Sequence, residues 1–178
     1  MQRLELAARI GGLESISFAG EVFRHTSPGM DPLSTTGSRM QGGRWNPPGV
    51  AALYCALDPA TVADEWYRAA ERQGLAPEGF LPRTLHCLGV RLTTLLDLRS
   101  PSARETVRLG EPQFRGPDLR ACQAVGEAAH SLGLEGIIAP SAAGPGVVLA
   151  VFVEVLRPGS QVEVVGSQIW DAPPPRRL

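Results

Sequence analysis

Four kinds of side chain in this sequence could act together on an anionic ligand: arginine, tyrosine, glutamate and serine. Arg24, followed by His25, ends an apolar-alternating segment. Arg44 sits in the loop Gly42-Gly43-Arg44-Trp45-Asn46-Pro47-Pro48-Gly49. A guanidinium offers two parallel donors that match a phosphate or diphosphate. The paired glycines let backbone approach a ligand closely. Tyr54 follows on a short apolar segment and could stack on a flat ring or bond a ribose hydroxyl. Glu65 supplies a carboxylate one element later. Ser141 follows a second apolar segment and opens the loop Ala142-Ala143-Gly144-Pro145-Gly146, where its hydroxyl could bind phosphate or sugar. Asn46 is the sole asparagine of the chain and stands inside the key loop. Each of these residues also has a plainer reading: an arginine strut, a core tyrosine, an arginine-paired structural glutamate.

The elements that must position them follow from pattern. Residues 2–10 have helical spacing, and 20–26 read as a strand. Ser27 to Asn46 is a long polar segment, and loops of that length are functional or disordered. Ala51 to Ala56 reads as a short buried strand. Asp58-Pro59 opens the clearest helix, with aspartate as cap, proline in the first turn and Gly74 as stop. At about 100° per residue, Val62, Trp66, Ala69 and Ala70 share the apolar arc, with Asp64 and Glu71 opposite. Glu65 lies at the edge of that arc, where a solvated carboxylate is not normally placed. Leu81 to Leu92 alternates as a strand and Thr93 to Ser100 continues as an irregular connection. Asp118 to Leu132 is a helix ending at Gly133. Gly136 to Pro140, Val147 to Leu156 and Gln161 to Val165 are three further strands, and Pro173 to Leu178 is a tail expected to fray. The sum is an α+β fold: a compact single domain, 1–178, with a mixed or antiparallel central sheet flanked by helices.

Bulk properties set the outer limits. The chain has 178 residues, 43% hydrophobic and 20% charged, with a net charge of −1. That balance gives no global field toward nucleic acid or an anionic membrane, so neither is expected as a direct partner. All 17 basic residues are arginine, which reads as genomic composition. Cys55, Cys87 and Cys122 are odd in number and widely spaced, which fits buried thiols of a reducing compartment and argues against a zinc site or any other metal. Met1 to Ile10 has no apolar signal core. These features lead to a cytoplasmic expectation. His86 and His130 fall on a strand and a helix and read as structural. No P-loop, dinucleotide fingerprint or nucleophile elbow is present.

The order Phe23-Arg24, Gly43-Arg44-Trp45-Asn46-x-x-Gly49, Tyr54, Asp58-x-x-x-x-x-x-Glu65 and Gly136-Ile137-Ile138-x-Pro140-Ser141 resembles the RES domain, over about residues 20–156. The resemblance implies an ADP-ribosyltransferase-like fold and a toxin of a bacterial toxin–antitoxin pair acting on NAD⁺. The acceptor would be water, phosphate or a protein side chain. It implies Arg24 and Arg44 on the NAD⁺ diphosphate, with His25 and Asn46 beside them. Tyr54 would lie near the nicotinamide or its ribose, Glu65 would be the catalytic carboxylate, and Ser141 would contact the nicotinamide or ribose side. Two positions depart from the family pattern: His25 stands where an aromatic is frequent, and no asparagine occurs in Val147 to Phe152. The implied partner is an Xre-like helix-turn-helix antitoxin covering the arginine-lined cleft. A non-catalytic nucleotide-binding module is the alternative from another class.

Overall fold

The computed structural model describes residues 2–177, so Met1 and Leu178 lie outside it. In chain order the elements are α1 (Gln2–Gly11), β1 (Ser15–Thr26), α2 (Thr36–Gln41), β2 (Leu53–Ala56), α3 (Pro59–Arg72) and β3 (Arg83–Asp97). They continue with α4 (Pro101–Thr106), α5 (Glu111–Arg115), α6 (Arg120–Ser131), β4 (Gly136–Pro140), β5 (Val147–Val151) and β6 (Gln161–Trp170). Short 3₁₀ turns occupy Pro77–Phe80 and Val153–Val155. No helix among the described residues is long and apolar enough to cross a membrane.

The sheet runs β1-β2-β5-β4-β3-β6, and β1 also pairs with β3. The strands β1, β2, β5, β4 and β3 therefore close a ring, with β6 laid along the outer edge of β3. All pairings are antiparallel except β3 with β4. Val22, Leu53, Leu88, Leu95, Ile138 and Leu149, drawn from every strand of the ring, form one buried cluster. A second cluster packs α1, α4, α5 and α6 on the outside, around Trp45, Leu98, Phe114, Val125 and Phe152. A third, with Val62, Ala63, Leu85 and Trp170, seats α3. The α+β expectation holds, with a mixed sheet.

Several boundaries differ from expectation for physical reasons. Residues 93–97 are not an irregular connection. Leu95 and Leu96 pair with β1 on one side and β4 on the other, so tertiary pairing extends the strand. The first strand begins at Ser15, five residues early, because it follows β3 down its length. The fifth strand ends at Val151, where Phe152 turns into the helix-side core, and the last strand continues to Trp170 against Arg83. The polar segment 27–46 contains α2, and α4 and α5 were not anticipated.

The tail is held down rather than frayed over its described residues. Tyr67 donates to the Pro174 carbonyl at 2.7 Å. Arg176 lies 4.1 Å over the Tyr67 ring and pairs with Glu71. Arg177 pairs with Asp58 and Asp64. That contact explains why Asp64, on the polar side of the helix by pattern, is largely covered, while Ala69 is exposed.

Glu135 fixes the start of β4, the strand that delivers Ser141. It is fully buried and accepts from Thr93 N (2.7 Å), Thr94 N (2.9 Å) and Arg157 N (2.8 Å). Burial alone would raise its pKa; the donors from Arg157 and Thr93 outweigh it and lower the pKa from 4.5 to about 2. A lowered folded-state pKa stabilises the protein fully above the unfolded value and loses that contribution as pH falls toward the folded one. We predict that thermal melts of wild type and Glu135→Gln differ most at pH 6–7 and converge on acidification below pH 4.5. A gap independent of pH would contradict the assignment.

Candidate active site

A cavity of 490 Å³ opens between the end of β1, the 42–49 loop, β2 and α3. This is within the range for small-molecule sites, about 300–1,000 Å³. Arg24, His25, Arg44, Tyr54 and Glu65 all line it. Residues separated by some 40 positions in sequence thus share one space, as the residue types required.

The loop that carries Arg44 is tied at its base. Asn46 is fully buried. Its amide donates to Ser38 O and Val50 O, both at 2.8 Å, and its Oδ1 accepts from the Tyr54 hydroxyl at 2.6 Å. The same hydroxyl accepts from Trp45 N at 2.8 Å. Gly43 lies flat on the tyrosine: a Cβ there would stand 2.5 Å from the hydroxyl oxygen, so only glycine fits. Trp45, fully buried, anchors the loop against Phe114 of α5. Asn46 is therefore a brace beneath the cavity, not a group facing it. Tyr54 presents its ring, with its hydroxyl committed to the loop. Burial raises that hydroxyl's pKa further, so it stays neutral.

Arg44 and Arg24 are each held by neutral carbonyl oxygen. Arg44 Nη1 donates to Phe114 O at 2.5 Å, and both its terminal nitrogens reach Gly116 O at 3.4 Å. Arg24 Nη1 donates to Ser34 O at 3.3 Å, and its buried Nε has no partner among the described residues. Burial lowers the Arg24 pKa, yet guanidinium remains charged at any physiological pH. Neither residue has a salt-bridge partner among the described residues. Their charge is aimed but not neutralised, the condition for holding an anion.

His25 adds no charge. Burial, followed by the Arg83 and Arg24 guanidinium groups, lowers its pKa to about 3. Arg83 Nε donates to its Nδ1 at 3.0 Å, and the ring stacks on Trp170 at 6.2 Å. A flat, neutral ring thus stands where the family pattern has an aromatic. Cys55 also lines the cavity; burial pushes its thiol up to about 12, so it supplies no thiolate.

Glu65 is positioned by Ser141. The serine is fully buried, and its hydroxyl donates to Glu65 Oε1 at 2.6 Å while accepting from Ala143 N at 3.0 Å. The serine loop closes through Ser141 N to Gly146 O at 2.7 Å. It lies so close to α3 that a Cβ on Gly146 would stand 1.7 Å from Thr61 Oγ1. These contacts brace the loop without the asparagine that the family pattern would supply. Ser141 itself does not line the cavity; its hydroxyl meets the cavity through the Glu65 carboxylate.

Sequence reasoning missed Arg68 and Arg72, which also line the cavity. They follow Glu65 by three and seven residues, within about 60° of it on the helix, and that spacing was the available signal. Arg68 Nη2 donates to Arg115 O at 3.1 Å. His86 bonds Thr26 and Ser167, and His130 packs edge-on against Phe152, both structural as expected. Among the described residues no group of three or more His, Cys, Asp or Glu could hold a metal ion.

With one carboxylate among several guanidinium groups, this cavity can bind a diphosphate and stabilise positive charge developing on an attached sugar. The RES domain model matches residues 21–174, and the chain belongs to that family. It is 37% identical over 157 residues to the NAD(+) phosphorylase MbcT of Mycobacterium tuberculosis (strain H37Rv) and to that of Mycobacterium bovis, covering 86% of this chain and 84% of the relative. Among solved structures it matches the M. tuberculosis MbcT–MbcA toxin–antitoxin complex with a TM-score of 0.86 at 34% identity, over 96% of this chain and 94% of that one.

The brace makes a testable demand. Asn46→Ala removes a donor from the part-buried Ser38 and Val50 carbonyls and the acceptor of the Tyr54 hydroxyl, and we expect a loss of about 2 kcal/mol in urea unfolding. A loss below about 0.5 kcal/mol, the level of a neutral surface change, would show that the loop does not depend on it.

Proposed function

We propose that this chain is an NAD⁺-degrading toxin of a bacterial toxin–antitoxin pair, cleaving the nicotinamide–ribose bond with phosphate or water as acceptor. One observation carries the reading: Arg24, Arg44 and Glu65 line a single cavity, with the arginines free of ion pairs among the described residues. The resemblance to two NAD(+) phosphorylases over most of the chain supports it.

Arg24 and Arg44 receive the diphosphate and fix the dinucleotide for in-line attack. The Tyr54 ring and the neutral His25 ring form flat walls for the nucleoside ends. As the bond to nicotinamide lengthens, positive charge spreads over C1′ and the ring oxygen of the ribose. Glu65, held by Ser141, stabilises that charge and orients the sugar hydroxyls, the logic of glycoside cleavage. Nicotinamide departs neutral, so no strong general acid is needed. Water as acceptor gives ADP-ribose; phosphate gives ADP-ribose 1″-phosphate.

Such an activity requires restraint. A cognate antitoxin is the partner, and an Xre-like helix-turn-helix protein covering the arginine-lined cleft is its form. DNA binding then belongs to the antitoxin, since this chain carries a net charge of −1. The proposed substrate and partner fit action in the cytoplasm.

Purified chain mixed with NAD⁺, with and without phosphate, should release nicotinamide. No release at any phosphate level would end this reading. Glu65→Gln should lower turnover by about 10²–10³-fold with the fold intact by circular dichroism. Ser141→Ala should fall between the two, because the carboxylate remains but loses its orienting donor. Full activity in Ser141→Ala would contradict the positioning role.

A further inference from the structure

Arg68 is the one guanidinium that shares a helix face with Glu65 at one turn's distance and reaches the same cavity. One edge is anchored, Nη2 on the Arg115 carbonyl. Its Nη1 is buried with no hydrogen-bond partner, and no carboxylate pairs with the group among the described residues. A desolvated, half-anchored donor of this kind is costly unless a ligand completes it. Arg24 and Arg44 already suffice for the two phosphates of a dinucleotide. Attack by phosphate makes a further demand that attack by water does not. A phosphate dianion must approach the sugar carbon beside the Glu65 carboxylate, and two like charges that close repel by several kcal/mol at low effective dielectric. A cation adjacent to that carboxylate, but not paired to it, removes the barrier.

We propose that Arg68, with Arg72 one turn further along, forms a separate subsite for the acceptor phosphate and so determines whether phosphate or water cleaves the bond. The inference rests on the reading of this chain as an NAD⁺-cleaving enzyme. In the step, a phosphate oxygen forms a bond to the ribose C1′ as the C1′–N bond to the pyridinium breaks. The electron pair of that bond stays on nitrogen and leaves with neutral nicotinamide. The proton of HPO₄²⁻ remains on the new phosphate ester or passes to water. The fork of Arg68 holds two of the three phosphate oxygens that do not attack.

The test follows both products from NAD⁺ while inorganic phosphate is titrated. Wild type should show saturable formation of ADP-ribose 1″-phosphate. Arg68→Gln should raise KM for phosphate about tenfold or more, leave KM for NAD⁺ within about twofold, and shift product toward ADP-ribose. Arg68→Lys should recover part of the phosphate preference, since it keeps the charge but not the fork. On wild type alone, sulfate should inhibit in competition with phosphate and not with NAD⁺, a readout that stands even if the variants fail to fold. Unchanged phosphate KM and product ratio in an active Arg68→Gln would overturn the subsite and leave the enzymatic reading intact. A raised KM for NAD⁺ instead, or sulfate competing with NAD⁺ alone, would assign Arg68 to the dinucleotide and also overturn it. Wild type that releases no nicotinamide at any phosphate level would remove both.

Discussion

Like charges gathered in one cavity must be fixed without being cancelled, and the placement of the arginines in this protein follows from that constraint. Arg44, Arg24 and Arg68 hang from the carbonyls of Phe114, Ser34 and Arg115. A peptide carbonyl orients a guanidinium but leaves its net charge in place. Elsewhere the chain does the opposite: Arg3, Arg39, Arg99 and Arg120 pair with Glu127, Glu154, Asp97 and Asp118 on the surface. Such exposed pairs contribute little to stability. In the cavity none of Arg24, Arg44 and Arg68 has an ion-pair partner among the described residues, which supports the proposed anionic ligand.

Fixing those groups requires a stiff frame, and small close contacts provide it. Gly43 seated on Tyr54 and Gly146 seated on Thr61 bring two loops within van der Waals contact of β2 and α3. The Asn46–Tyr54 pair locks the first loop, and the Ser141 hydroxyl ties the second to Glu65. The closed ring of β1, β2, β5, β4 and β3 sets the spacing between them. The site is therefore built from two loops, the helix α3 and the strands β1 and β2 that carry Arg24 and Tyr54.

Much of this could be read in the letters, and the failures have common causes. Arg44 and Glu65 stood out by placement, an arginine in a glycine loop and a carboxylate on the margin of an apolar arc, while Arg24 at a strand end was marked by its place in the order of motifs that resembles the RES domain. Asn46 and Ser141 were legible as important but not in their direction. Sequence shows that a polar group is unusual, while only packing shows that it faces inward. Arg68 was hidden because helical arginines are ordinary until the neighbouring turn is known to line a cavity. The second half of β3 depends on pairing with strands distant in sequence, and the ordered tail depends on the charges of α3, so local pattern carried neither.

The most direct measurement is a crystal structure of Glu65→Gln soaked with NAD⁺. The dinucleotide should lie in the cavity between β1, β2 and α3, with its diphosphate against Arg24 and Arg44 and the nicotinamide ribose at position 65. A dinucleotide bound elsewhere, or one whose diphosphate touches neither arginine, would contradict it.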